Sequence, residues 1–320
     1  MFVLKILGLG PQRITSSRSA SSRKEKHKSV ILESVWSEGR RYQNIEHCPY
    51  LLPNDVTELN RLEIEHAIMQ DIFGSIFVAP IDQLNPSSVL DVGCAQGTWI
   101  LEAANMYPKA HFTGFDISAV YPTTTMPPNC TFEFGNIIEG TKYSDGEFDY
   151  VHQRGFAFAV RLAEWPQVCR ELVRLTAPRG VVEIVDTCLP FTGPGPITAR
   201  INSWIDAACA QQGIEVRGYL EQIPHLLRQA GLSNIHVVTR KMPAGPWAGK
   251  TGKLGAECLL EGARILCRSA PEAVNLSQAA FDEVFDQFRQ EILTDEYEIG
   301  LTVMSIWGQR VAPTTPGMDS

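Results

Sequence analysis

Residues 89–99 read VLDVGCAQGTW. An apolar strand runs into a short loop with two glycines, and helix-forming residues follow. A loop of that kind, between a strand and a helix N-terminus, is a place to cradle a nucleotide. The dinucleotide fingerprint requires glycine at the first, third and sixth loop positions. Counted from Gly93, those positions hold Gly93, Ala95 and Thr98. Thr98 speaks against a nicotinamide cofactor. Ala95 is conditional, because a methyl group suits a negative φ there and is expected to be incompatible with a positive one.

Outward from this loop the chain alternates between strand and helix. Strands are expected at 88–92, 111–117, 130–136, 148–153 and 181–187, with helices at 97–106 and 163–177 between them. A Pro/Gly-rich loop is expected at 189–198, then helices over 199–213 and 223–231, a strand over 234–242 and two helical pieces within 252–293. A last strand covers 298–310. This alternation predicts an α/β fold with a mostly parallel sheet and helices on both faces. Upstream, Asp55 and Glu58 have capping-box spacing. Leu59, Leu62, Ile68 and Ile72 follow at helical spacing, so an amphipathic helix precedes the sheet. Residues 30–44 read as a loop with a short strand or helix.

Composition narrows the function. The 320 residues carry a formal net charge of −8, but residues 1–30 hold seven Lys/Arg against Glu25 alone. The rest holds 21 basic and 35 acidic groups, a poor surface for phosphate backbones, so no nucleic-acid partner is expected. No run is long and apolar enough to span a bilayer, so no membrane partner is expected. The eight cysteines form no C-x-x-C pair and no zinc-like cluster, so no metal is expected and a reducing, cytoplasmic location is read. Residues 1–29 read as a disordered basic tail. Their Ser/Arg-rich composition also matches a mitochondrial transit peptide, and a nuclear location is a further alternative.

In an open parallel sheet, ligands sit beyond the carboxyl ends of the strands. The first strand contributes Asp91 and the loop Gly93, Cys94, Ala95 and Gly97. The second ends on Asp116, 19 residues after Gly97, followed by Ile117. An acid at that place accepts the hydroxyls of a ribose. The third ends at Asn136 and Ile137, an amide for an adenine edge and a side chain to pack on the ring. The fourth ends at His152, Gln153 and Arg154, polar groups beside the reactive end of a ligand. His152 is the candidate general base, since imidazole titrates near neutrality.

This set resembles the class I S-adenosylmethionine-dependent methyltransferases, whose loop is D-x-G-x-G-x-G. Here it reads Asp91-x-Gly93-x-Ala95-x-Gly97. Ala95 departs from the pattern, as does Asn136 where Asp is commoner. The strings RRYQN (40–44), YLLPND (50–55), RLEIEH (61–66), VHQR (151–154) and WGQR (307–310) are similar to fungal LaeA/UMTA-type methyltransferases of secondary metabolism. The resemblance implies a Rossmann-like seven-stranded sheet and S-adenosylmethionine as cofactor. It also implies an N-terminal helical cap over 30–80 that folds over the cofactor, bringing Tyr42 to it. A methyltransferase domain would fill 81–312, with substrate-covering insertions near 189–230 and 242–295. The implied activity is methylation of a small-molecule acceptor, read here as O-methylation. The alternative is a LaeA-like regulator that uses the fold to bind cofactor and a protein partner.

Overall fold

The structure is a computed structural model, and it describes residues 34–45, 48–269 and 276–312. The basic tail lies outside them. A hairpin of β1 (Val35–Ser37) and β2 (Arg40–Tyr42) leads to helix α1 (Val56–Phe73). Asp55 caps α1 by accepting from the Glu58 N–H at 3.1 Å. The same carboxylate takes Arg40 Nε at 2.7 Å, which ties the hairpin to the helix. The reciprocal half of the expected capping box is missing, because the Glu58 carboxylate is taken by Arg61.

After the short helix α2 (Ile81–Leu84) come β3 (Ser88–Val92), α3 (Thr98–Met106), β4 (His111–Asp116), β5 (Cys130–Phe134) and β6 (Phe148–Arg154). Helix α4 (Trp165–Leu175) leads directly into the long strand β7 (Thr176–Thr192). The remaining elements are α5 (Pro196–Gln211), α6 (Tyr219–Gln229), β8 (Leu232–Pro243), α7 (Gly249–Leu266), α8 (Gln278–Leu293) and β9 (Gly300–Arg310). Seven strands form one sheet in the order β5-β4-β3-β6-β7-β9-β8, in which only β9 is antiparallel to its neighbours. This is the Rossmann-like class I arrangement. The order reverses between β3 and β6, which opens a crevice at their carboxyl ends.

Strand alternation explains the layers. Leu90 and Val92 pack with Val151, Val182 and Ile184 beneath α4 and α6. Val89, Tyr150 and Val181 face the other way, onto Trp99, Ile100 and Ala103 of α3. A third apolar cluster joins Leu189 and Phe191 of β7 to α5, α7 and α8.

One expectation fails here. Residues 189–192 lie in β7 instead of the predicted loop. Strand β9 supplies the reason, since Thr187, Cys188 and Thr192 pair with Val303, Thr302 and Gly300. Pro190 falls where that ladder shifts register, a position at which a missing N–H is tolerated. The loop shrinks to Gly193–Gly195, and α5 opens on Pro196.

Candidate active site

The 89–99 stretch folds as strand, loop and helix, and the loop hooks back on the next strand. The Gly93 N–H donates to the Phe115 carbonyl at 2.7 Å. Gly93 has φ +75°, and a Cβ there would sit 2.2 Å from the Phe156 ring. That position needs glycine for both conformation and space. Ala95 has φ +47°, so the condition set for it resolves on the unfavourable side, yet the loop forms. Its N–H donates to Asp116 Oδ2 at 2.8 Å. That charge-assisted bond offsets a left-handed backbone cost of about 1 kcal/mol.

A cavity with about 150 Å³ of free space lies over this loop, at the switch point. It brings together Asp91, Gly93, Cys94, Ala95, Asp116, Ile117, Asn136, Ile137, His152 and Arg154, all expected there. Three other expected residues are placed elsewhere. Gly97 has φ +84° and opens α3, with the Phe132 ring against it, so it shapes the turn without lining the cavity. Gln153 is wholly buried behind the cavity wall, because its side chain leaves the strand on the face opposite to those of His152 and Arg154. Tyr42 is held by Arg268, whose guanidinium donates to its hydroxyl at 2.9 Å and covers its ring. That contact fastens the hairpin to the region after α7 and keeps Tyr42 off the cavity.

The polar groups are arranged in pairs. Asp116 accepts from the N–H of Ala95 and from that of Ser118 at 2.6 Å, which leaves lone pairs for further donors. Burial pushes its carboxyl up to about 6 despite those two bonds. The Ser118 hydroxyl lines the cavity, buried and with no hydrogen-bond partner. Asn136 Oδ1 accepts from the Ile138 N–H at 3.0 Å while its amide donates to Glu139, so one carbonyl lone pair stays available. His152 is 1% exposed. Its Nδ1 pairs with Asp91 Oδ1 at 2.7 Å, and its ring stacks on Trp99 at 3.8 Å. An imidazole clamped on one nitrogen and one face is suited to hold Asp91 beside the loop.

Arg154 donates to His66 Nδ1 at 3.0 Å, and His66 Nε2–H donates to Glu102 at 2.8 Å. A guanidinium only donates, so this chain fixes the His66 tautomer. Burial and the Arg154 charge hold His66 below its ordinary value, keeping it neutral. Among the described residues no carboxylate is within hydrogen-bond reach of Arg154, so its charge is open to an anion in the cavity.

Residues that the sequence did not single out complete the walls. Leu59, Leu62 and Glu65 of α1 close the cavity from above, and Gln96 donates to the Leu59 carbonyl at 2.7 Å. A second, mostly apolar cavity adjoins the first, and Tyr50, Leu62, Glu65 and Gly155 line both. Leu52, Phe158, Leu189, Phe191, Met242 and Leu259 give it its apolar character. No group of His, Cys, Asp and Glu among the described residues could hold a metal ion, and no helix among them is long and apolar enough to cross a membrane. All eight cysteines are free thiols.

A sheet with this strand order and a glycine loop at its switch point define the class, and comparison with known proteins agrees. The chain belongs to the class I S-adenosylmethionine-dependent methyltransferases. A methyltransferase-domain family matches residues 89–180. The chain is 30% identical to N-methyltransferase tcpN of Claviceps purpurea over 190 residues, which are 56% of this chain and 67% of that one. It is 28% identical to N-methyltransferase sirN of Leptosphaeria maculans over 84% of this chain and 98% of that one. It is also 29% identical to the secondary metabolism regulator laeA of Coprinopsis cinerea, over 48% of this chain and 40% of that one. The cofactor of the class is S-adenosylmethionine.

This chain's residues fit that cofactor. Asp116, with the unpartnered Ser118 hydroxyl beside it, suits a diol. Arg154, lacking a carboxylate partner, suits the carboxylate of an amino acid.

Proposed function

We propose that the protein methylates a small, largely apolar acceptor of fungal secondary metabolism at a proton-bearing oxygen or nitrogen. The observation that carries this reading is a pair of adjoining cavities, one at the strand ends that holds Asp91, Asp116, Asn136 and Arg154, and one beneath α7 walled mostly by apolar side chains. The expectation of oxygen alone widens to nitrogen, because tcpN and sirN are N-methyltransferases. Burial from bulk water favours such a transfer, in which alignment of the reacting atoms matters most.

In this reading Asp116 holds the ribose and Asn136 with Ile137 the adenine, while Arg154 binds the carboxylate of the methionyl part. The His152–Asp91 pair holds the loop acid in place. His152 lines the first cavity and is absent from the second, so the general-base role expected of it does not suit its position. When bound, S-adenosylmethionine supplies an activated methyl group. The segments 189–205 and 242–266 supply the acceptor cavity, in keeping with covering insertions there.

The regulator alternative asks for an exposed apolar docking patch. Among the described residues the large exposed apolar side chains, Trp36, Val56, Met106 and Val237 among them, come from different elements. That favours the enzyme.

Calorimetry with S-adenosylhomocysteine tests the cofactor half, and tritium transfer from methyl-labelled S-adenosylmethionine to an organic extract of fungal mycelium tests the acceptor half. Binding without any transfer would leave the regulator reading in its place.

A further inference from the structure

We propose that Asp186, at the carboxyl end of the fifth parallel strand, is the catalytic group that binds the acceptor's O–H or N–H and takes its proton. This rests on the methyltransferase reading above. Asp186 is 2% exposed and lines the apolar cavity. Its Oδ2 accepts from the Phe156 N–H at 2.7 Å, and its Oδ1 accepts from the Thr187 N–H at 2.8 Å. Phe156 is the residue whose ring lies against Gly93. Asp186 is therefore linked to the cofactor loop through Phe156, and the Gly155 N–H, which lies where the two cavities adjoin, bonds the Val185 carbonyl at 3.1 Å.

A second buried acid on the same strand shows what is unusual here. Glu183 accepts from the Val78 and Ala79 N–H groups, the Ser305 hydroxyl at 2.9 Å and the Tyr150 hydroxyl. Glu183 is saturated by the fold and lines neither of the two adjoining cavities. Asp186 has two backbone donors and the Tyr219 hydroxyl, no cation within hydrogen-bond reach among the described residues, and a lone pair left over in a cavity wall. Arg61, the one basic residue lining that cavity, is taken by Glu58 at 2.7 Å and Glu65 at 2.6 Å. An acceptor there meets apolar walls and one acid free to accept a proton, which selects a neutral or cationic molecule.

Around Asp186 the charged and titratable groups are Glu65 and Arg61 of α1, Tyr50 before it, Tyr219 of α6 and Cys258 of α7. Burial raises the carboxyl to about 7, which suits a proton acceptor at neutral pH. The step balances. The acceptor's lone pair forms the bond to the methyl carbon as the carbon–sulfur bond breaks, its electron pair staying on sulfur. The acceptor's proton passes to Asp186 and from there to water.

The test compares wild type, Asp186→Asn and Asp186→Glu. S-adenosylhomocysteine is expected to bind all three within threefold by calorimetry. Tritium transfer to the mycelial extract is expected to fall at least a hundredfold in Asp186→Asn and to recover about tenfold of that in Asp186→Glu. The wild-type rate is expected to rise with pH to a plateau with a midpoint near 7, and Asp186→Asn is expected to lose that limb. Independently of any acceptor, infrared difference spectra between wild type and Asp186→Asn are expected to show a protonated carboxyl band that disappears between about pH 6 and pH 8. A carboxyl already ionised at pH 5, or Asp186→Asn transferring tritium within threefold of wild type, would overturn the assignment. A wild type that binds the cofactor product and labels nothing overturns the small-molecule reading instead.

Discussion

The two cavities adjoin but are built in different ways. Most of the cofactor cavity comes from one stretch of chain, Asp91 to Val160, in which successive strand ends bring short motifs together. The acceptor cavity is collected from Tyr50 to Leu301, with walls from α1, the segment after β6, β7, α5, β8, α7 and β9. A cavity built from adjacent strand ends inherits its geometry from the sheet. A cavity collected from distant segments depends on how helices pack over the sheet, and it can be remodelled without touching the first. Fold and function are separable in that sense.

The sharpest way to break the contrast is on the acceptor side. Phe191→Ala removes a buried ring that stacks on Phe288 at 5.9 Å. It should cost about 3 kcal/mol of stability in denaturant unfolding, while S-adenosylhomocysteine affinity in calorimetry stays within threefold. A large loss of affinity would show the cavities to be coupled. Next in size, Asp116→Ala should lower that affinity about a hundredfold, equivalent to about 2.7 kcal/mol, with stability little changed.

Arg154→Gln should cost about tenfold in the same assay by removing the charge that faces the cavity. Its effect should shrink for a ligand lacking the methionyl carboxylate, such as methylthioadenosine. A pH series sharpens the Asp116 assignment. Its carboxyl, raised to about 6, must be ionised to accept from two ribose hydroxyls, so affinity should fall as pH drops through 6, approaching tenfold per unit. Asp116→Asn should abolish the dependence, which ties it to this carboxyl.

The smallest effect belongs to Ala95. Ala95→Gly relieves a left-handed alanine but adds freedom to the unfolded chain. Stability should rise by only about 0.5 kcal/mol, measured as a small increase in unfolding midpoint.

Much of the cofactor side was legible because it is local. Gly93, Asp116 and Asn136 each end a strand whose apolar run marks its own boundary, so motif and position are read together. Gln153 was misplaced because strand alternation decides which of three consecutive polar residues faces the ligand, and that register is set by pairing with β3. Tyr42 was misplaced because its partner, Arg268, lies more than two hundred residues away. Asp186 had a readable signal in VVEIVDT (181–187), an acid closing an apolar strand. The same logic that singled out Asp91 and Asp116 applied to it.

By itself the sequence determined the element order and the loop at the switch point, because these rest on periodicity and on spacing within about fifty residues, and the resemblance of its motifs to a known family implied the class of cofactor. Tertiary structure alone decided that Ala95 could take a positive φ, since the compensating bond comes from the end of the neighbouring strand. It alone decided that β7 runs to Thr192, since antiparallel pairing with β9 overrides a local Pro/Gly signal. It alone placed Asp186 in an apolar cavity and Glu183 among four donors. The two acids are three residues apart on one strand, and only the packing on its two faces distinguishes them.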